Sequence, residues 1–83
     1  MPYARKVDAN HKAITDALRA CGWLVADTSR LKGFVDLVAQ KPGRTVLVEV
    51  KTPRGKLTEA QVRLSEQGWW IHVLRTVDDA LAL

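Results

Sequence analysis

Residues 34–51 read FVDLVAQKPGRTVLVEVK, two apolar runs rich in Val and separated by a short turn sequence. Within the turn, Pro42 presets its own φ and Gly43 accepts a positive φ. Two strand-like runs joined by such residues predict a β-hairpin. This hairpin decides the fold, because it forms the centre of the sheet that the remaining elements extend.

The register of the hairpin places two carboxylates together. If Pro42 and Gly43 are the centre of the turn, continuing the pairing brings Asp36 opposite Glu49, with Cβ atoms about 5 Å apart. Two carboxylates at that distance repel by roughly 3 kcal/mol at an effective dielectric constant of 20. A divalent cation between them would offset this repulsion, and oxygen ligands favour Mg²⁺ or Mn²⁺. Alternatively, a register shifted by one residue leaves Asp36 as a solvated strand charge.

Lys51 adds a cation to the same strand face. Side chains alternate along a strand, so Glu49 and Lys51 share a face of a strand that is otherwise apolar. A metal held by two carboxylates polarises a phosphate and lowers the pKa of a bound water. Lys51 could position that water or stabilise charge on the phosphate oxygens. The set therefore predicts phosphodiester hydrolysis.

The rest of the chain predicts a single α/β domain over residues 1–83 with a mixed sheet. Apolar residues at helical spacing predict a first helix from Asp8, as N-cap, to Cys21. A capping box, Thr58 and Gln61, predicts a second helix. The expected elements, in the order α-β-β-β-α-β-α, are 8–21, 23–27, 34–40, 45–51, 59–67, 69–75 and 77–81.

Charge points to a polyanionic partner. The 83 residues carry 13 Lys and Arg against 9 Asp and Glu, a net charge of +4, which favours nucleic acid. Two predicted loops flank the carboxylates and carry the candidate DNA-backbone contacts Ser29, Arg30, Lys32, Arg54 and Lys56. The alternative is an ordinary solvated basic surface.

Other site types find little support. The one cysteine, Cys21, has no disulfide partner, and no apolar run approaches the roughly 18 residues of a membrane helix. With no signal-peptide pattern, we expect a cytoplasmic protein with no membrane partner. The sequence lacks a glycine-rich phosphate loop, and His11 and His72 are not spaced as zinc ligands. We expect no small-molecule organic cofactor.

Asp36, followed by Glu49-Val50-Lys51, resembles the PD-(D/E)XK nuclease signature, and the predicted element order is similar to the restriction-endonuclease-like αβββαβ core of that superfamily. The run 48–61, VEVKTPRGKLTEAQ, resembles the VRR-NUC branch, as does the segment 75–81. Val35 stands where the motif name has Pro. The resemblance spans nearly the whole chain. The VRR-NUC branch includes small stand-alone phage and bacterial nucleases, so the resemblance implies the cytoplasm of a bacterial or phage-infected cell.

The resemblance implies residue roles. Asp36 and Glu49 would be metal ligands together with the carbonyl of Val50, Lys51 would be the catalytic lysine, and Gln61 would orient the phosphate or Lys51. The family often carries an acidic residue on the first helix near the metal. Asn10 is our candidate for that position, and Asp8 as a plain N-cap is the competing interpretation.

The leading hypothesis is a Mg²⁺- or Mn²⁺-dependent DNA endonuclease. The resemblance implies a homodimer acting on branched DNA such as Holliday junctions. The main alternative is a non-catalytic DNA-binding domain that retains the fold, and a sequence-specific restriction-type nuclease is a further one. Trp69 and Trp70 are adjacent, so we expect one in the core and the other at a dimer interface or on a base.

Overall fold

A computed structural model describes the backbone of residues 2–83 and the side chains of residues 9–83. The elements occur in the predicted order α-β-β-β-α-β-α. They are α1 (Pro2–Ala20), β1 (Leu24–Asp27), β2 (Leu37–Lys41), β3 (Arg44–Val50), α2 (Glu59–Gln67), β4 (Ile71–Leu74) and α3 (Val77–Ala82). The chain is thus an α/β protein with a four-stranded mixed sheet and three helices.

The sheet has the strand order β1-β2-β3-β4. The first three strands are antiparallel neighbours, and β4 lies parallel to β3 after the crossover through α2. In the central hairpin Lys41 pairs with Arg44 and Leu37 pairs with Val48. This register is the one that the turn residues predict, and Gly43 takes the positive φ of 75° that the turn requires.

The core lies on one face of this sheet, against α1 and α3. Ile14 and Leu18 of α1 are fully buried, as the helical spacing predicts. They pack with alternating residues of β2 and β3 and with Trp23, Leu74 and Ala80. Burial of one face fixes the register, because a shift by one residue would turn the apolar side chains of both central strands away from the core.

The predicted capping box of α2 is present, and α3 begins with a second one. The Thr58 hydroxyl accepts from the Gln61 N–H while the Gln61 side chain accepts from the Thr58 N–H. Gly68, at φ 109°, ends α2 in the left-handed conformation. Thr76 and Asp79 make the same reciprocal pair at the start of α3. Each cap satisfies backbone donors that a helix leaves unpaired at its first turn.

Two predictions about element boundaries are wrong. Asp8 is not an N-cap, because α1 begins at Pro2 and continues through it; its side chain lies outside the described part of the chain. The strand predicted from Phe34 begins only at Leu37. The segment before Leu37 is instead held by side chains, since Thr28 Oγ1 donates to the Val35 carbonyl and Gln61 Nε2 donates to the Phe34 carbonyl.

Neither of the adjacent tryptophans lies in the core. Trp69 is 51% exposed and Trp70 is 78% exposed. Both precede β4, which is an edge strand, and Trp23 already fills the core beside the hairpin. No helix within residues 2–83 is both long and apolar enough to cross a membrane.

Candidate functional site

Asp36 and Glu49 meet where the β2–β3 ladder ends. Asp36 immediately precedes β2 and Glu49 is the penultimate residue of β3. The Asp36 N–H donates to Glu49 Oε1 at 3.1 Å, and the Val50 N–H donates to Asp36 Oδ2 at 3.0 Å. Each carboxylate therefore accepts a backbone hydrogen bond from the opposite strand, which extends the ladder through side chains.

Glu49 and Lys51 form an ion pair at the same end. Lys51 Nζ lies 3.1 Å from Glu49 Oε2, and the side chains are 18% and 5% exposed respectively. Low exposure strengthens such a pair relative to one in water, because the local dielectric constant is lower. The sequence predicted that a divalent cation offsets the repulsion between the two carboxylates, and in the structure the Lys51 ammonium supplies positive charge there. The repulsion between the carboxylates is thus offset by one ammonium and two backbone N–H groups.

Asn10 reaches this site from α1. Its Nδ2 donates to the Lys51 carbonyl at 3.2 Å, although 41 residues separate the two positions. A cavity of about 190 Å³ lies here, lined by Asn10, Val50, Lys51, Thr52 and Gly55. The bond uses the amide nitrogen of Asn10 and leaves its Oδ1 as a candidate ligand beside the residues of the nuclease-like motif.

The loop after β3 packs closely on Lys51. A Cβ at Gly55 would crowd Thr52 Oγ1 at 3.2 Å and would touch Lys51 Cβ at 3.4 Å, so the glycine lets this loop lie against the lysine stem. Arg75 fixes the same loop, because its Nη1 donates to the Thr52 carbonyl at 2.8 Å and to the Gly55 carbonyl at 2.6 Å. Sequence reasoning did not find this role of Arg75, since no local pattern reports a contact across 20 residues.

Gln61 connects α2 to the segment that leads into Asp36. It is 5% exposed, and its amide accepts from the Thr58 N–H and donates to the Phe34 carbonyl at 3.1 Å. Among the described residues its side chain makes no hydrogen bond to Lys51. Its observed contacts are those of a positioning residue, because they anchor the backbone two residues before Asp36.

The loop before Asp36 is held from the other side. The Thr28 N–H donates to the Asp36 carbonyl at 2.8 Å. Ser29 donates through its hydroxyl and its N–H to Asp27, and these bonds, with the nearby His11, lower the pKa of the Asp27 carboxyl. The Ser29 hydroxyl is thus already engaged.

Four of the five candidate phosphate contacts are charged and exposed. They are Arg30 and Lys32 before β2 and Arg54 and Lys56 after β3. Both loops join strand ends that carry the carboxylates, so the charged residues lie on either side of the site along the chain. Exposure leaves these side chains accessible to an anion.

The donor set fits a hard divalent cation in kind. Two carboxylates, a backbone carbonyl and an amide oxygen are oxygen ligands of the type that Mg²⁺ accepts, with waters completing its shell. Among the described residues no group of three or more His, Cys, Asp or Glu side chains could hold a metal. A metal here would therefore depend on Asp36 and Glu49 as its protein carboxylates, and Lys51 would have to share Glu49 with it.

Comparison of the chain with protein-family models, curated proteins and solved structures gave no significant match to any of them. The likeness to the VRR-NUC branch therefore rests on the residues quoted from the sequence. The geometry adds that Asp36, Glu49, Val50, Lys51 and Asn10 lie together at one end of the ladder.

Proposed function

We propose that this protein is a metal-dependent DNA endonuclease with a restriction-endonuclease-like core. The observation that supports this most is the meeting of Asp36, Glu49 and Lys51 at one end of the β2–β3 ladder. A chain with net charge +4 that gathers two carboxylates and a lysine between basic loops has the groups that phosphodiester hydrolysis needs.

Asp36 and Glu49 would hold Mg²⁺ or Mn²⁺, with the Val50 carbonyl and Asn10 Oδ1 as further oxygen ligands. When bound, the metal would polarise the scissile phosphate and lower the pKa of a bound water. Glu49 holds the Lys51 ammonium at 3.1 Å, so the ammonium is oriented before substrate arrives. Lys51 would then donate a hydrogen bond to a phosphate oxygen or to the attacking water and stabilise developing negative charge.

The exposed side chains Arg30, Lys32, Arg54 and Lys56 would contact the DNA backbone. Contacts with about five phosphates, Lys51 included, would give a slope near −4.5 in a plot of log binding constant against log salt. Backbone contacts carry no sequence information by themselves. We therefore propose recognition of DNA shape, with branched DNA such as Holliday junctions as the substrate and a homodimer as the form that makes paired cuts.

The test is cleavage of labelled linear duplex, flap and four-way junction DNA in Mg²⁺, Mn²⁺ or EDTA. We expect cleavage that needs a metal and favours a branched substrate. Lys51→Ala should lower the rate by about 10²–10³-fold, because it removes a donor aimed at developing charge. Lys12→Ala is the matched control, since that exposed lysine on α1 pairs with Asp16 rather than with any residue of the site. The rate of this variant should stay at the wild-type value.

Absence of cleavage with every substrate and metal would refute the nuclease proposal. If the Lys51→Ala variant cleaves DNA at the wild-type rate, the protein is a nuclease but the assignment of its site to Lys51 is refuted. Sedimentation of a monomer at high concentration would contradict paired cutting by a homodimer.

A second candidate is a DNA-binding domain without catalytic activity. It is favoured by the hydrogen bonds that already satisfy both carboxylates, since Asp36 and Glu49 each accept a backbone N–H and Glu49 also binds Lys51. Such a protein would bind DNA equally well in EDTA and in Mg²⁺ and would cut none of the substrates.

A further inference from the structure

Trp70 presents a flat aromatic face at the end of the sheet distant from the carboxylates. Its ring stacks on His72, with centroids 5.3 Å apart and planes inclined by 13°. Trp70 nevertheless remains 78% exposed. Residues 70 and 72 lie on the same side of the edge strand, so His72 supports one face of the indole while the other stays open.

Arg44 places positive charge beside this aromatic pair. His72 pairs with Val48 in β3, and Arg44 lies on the same face of that strand. Arg44 also lies 5.3 Å from the Trp23 ring, beside Lys41 at 4.7 Å. Burial and then the charge of Arg44 lower the pKa of His72, so its ring is neutral at neutral pH and stacks as an uncharged aromatic.

The pairing register separates this cluster from the candidate active site. Trp70 precedes Ile71, the partner of Leu47, so it lies level with Val46. Lys51 is five residues further along β3, or about 16 Å at roughly 3.3 Å per residue. Because His72 pairs with Val48, it also lies on the face of the sheet opposite Glu49. The aromatic cluster is therefore a surface distinct from the candidate active site.

We propose that Trp70, supported by His72 and flanked by Arg44, is a stacking platform for an unpaired nucleobase. An exposed indole beside cations suits a base with its attached phosphate, because the ring offers a stacking face and the guanidinium an anion contact. Arg44 Nη1 donates to the Leu83 carbonyl at 3.1 Å, and the exposed guanidinium has further N–H donors for an anion. An apolar protein partner would instead have to bury those remaining donors unpaired. The inference rests on the proposed function, in that DNA is the ligand, and it makes single-stranded segments beside a branch part of the substrate.

The test is binding in EDTA, where no cutting occurs. The probes are a labelled oligo-dT of about 12 nucleotides, within the roughly 4–16 nucleotides that such modules cover, and a blunt duplex of the same length. Trp70→Ala should weaken oligo-dT binding about tenfold, the loss of one stacked base. Duplex affinity should change less than about twofold. Trp70→Phe, which keeps an aromatic face, should retain most of the affinity.

Trp69→Ala is the matched control. It removes the same side chain from the adjacent, half-exposed position, whose side chain lies on the opposite side of the strand, and it should bind both probes like the wild type. Circular dichroism would establish that both variants fold.

Equal affinity of Trp70→Ala and wild type for oligo-dT would overturn the platform, as would an equal loss for both probes or for both tryptophan variants. Loss of self-association in Trp70→Ala with unchanged DNA affinity would show that the surface binds a second copy instead. Binding without any metal-dependent cleavage would refute the nuclease while the platform stands. If the protein cleaves DNA and Trp70→Ala leaves the oligo-dT affinity unchanged, only the platform is refuted. Absence of DNA binding would refute both the platform and the nuclease.

Discussion

The two ends of the β2–β3 ladder are built in different ways. At the turn end, Lys41 and Arg44 pair directly across Pro42 and Gly43, and backbone hydrogen bonds run regularly. At the site end, β2 starts only at Leu37, and the pairing continues through the side chains of Asp36 and Glu49. The backbone pairing of the turn end is therefore local, whereas the pairing at the site end depends on side chains held by residues from distant parts of the chain.

The charged side chains at the two ends of the ladder also differ in how deeply they are buried. The cations of the turn end lie over the Trp23 ring, where an aromatic face contributes roughly 0.5–1 kcal/mol for each contact at the surface. At the site end Lys51 is mostly buried beside Glu49. Removing one member of a buried pair is costly, because it strands the other charge. Substitutions should therefore affect the site end far more than they affect exposed pairs elsewhere.

The largest effect should come from Glu49→Ala. It strands Lys51 and leaves the Asp36 N–H without its acceptor. We expect the free energy of unfolding to fall by about 3 kcal/mol, near the lower end for a broken buried pair because Lys51 remains partly exposed. Urea denaturation measures it. Asp16→Ala, which breaks the exposed pair with Lys12, should cost less than about 1 kcal/mol.

A double-mutant cycle sharpens this prediction. Adding Lys51→Ala to Glu49→Ala should restore part of the lost stability, since no charge is then stranded. If the two single losses simply add, the pair does not couple, and the contrast between the buried site end and an exposed pair is wrong.

Arg75→Ala should have the next largest effect, confined to the site end. Its guanidinium bonds to the Thr52 and Gly55 carbonyls. Because the first bond is exposed and the second only partly buried, we expect the two together to contribute about 1.5 kcal/mol, near the lower end for a charged donor. We expect the loop to open more often and trypsin to cut after Arg54 about tenfold faster. Arg63→Ala, on the exposed face of α2 with Glu59 as its partner at 4.0 Å, is the control. Equal cutting rates in both variants would show that Arg75 does not hold the loop.

The difference between local and long-range contacts also decides which features of the structure the sequence predicts. The turn, the capping box of α2 and the buried face of α1 depend on residues a few positions apart, so local patterns predicted them correctly. The register then carried the prediction to Asp36 and Glu49. The bonds of Arg75 and Asn10 to the loop after β3 join residues 20 to 41 positions apart. No spacing rule reports such contacts, because they depend on how the elements pack.

Trp69 and Trp70 illustrate a second limit. Tryptophan side chains are mostly buried in folded proteins, yet both of these are exposed because β4 is an edge strand. Which strand forms the edge is a property of the sheet order. Local sequence does not contain it, so the prediction of a core tryptophan was wrong for a topological reason.

The smallest effect should be a pH dependence that reaches the site end through Asp79. This carboxylate accepts the Arg75 N–H at 2.9 Å and the Thr76 N–H at 3.1 Å. The bond from Arg75, followed by those from Thr76, lowers the pKa of Asp79 below its ordinary value of 3.8. Between the folded and unfolded pKa the unfolded chain binds more protons, so stability rises with pH there. The contribution is complete above the unfolded pKa and is lost as pH falls through the folded pKa.

Asp79→Asn should flatten this part of the curve of unfolding free energy against pH. Asp78→Asn, which removes the neighbouring exposed carboxylate instead, is the control and should leave the slope in place. An unchanged acid slope in Asp79→Asn would show that the cap of α3 does not set it. Trypsin cutting after Arg54 can be compared across pH at matched protease activity. If acid pH speeds this cutting in the wild type but not in Asp79→Asn, the cap of α3 also holds Arg75 and the loop at the site in place.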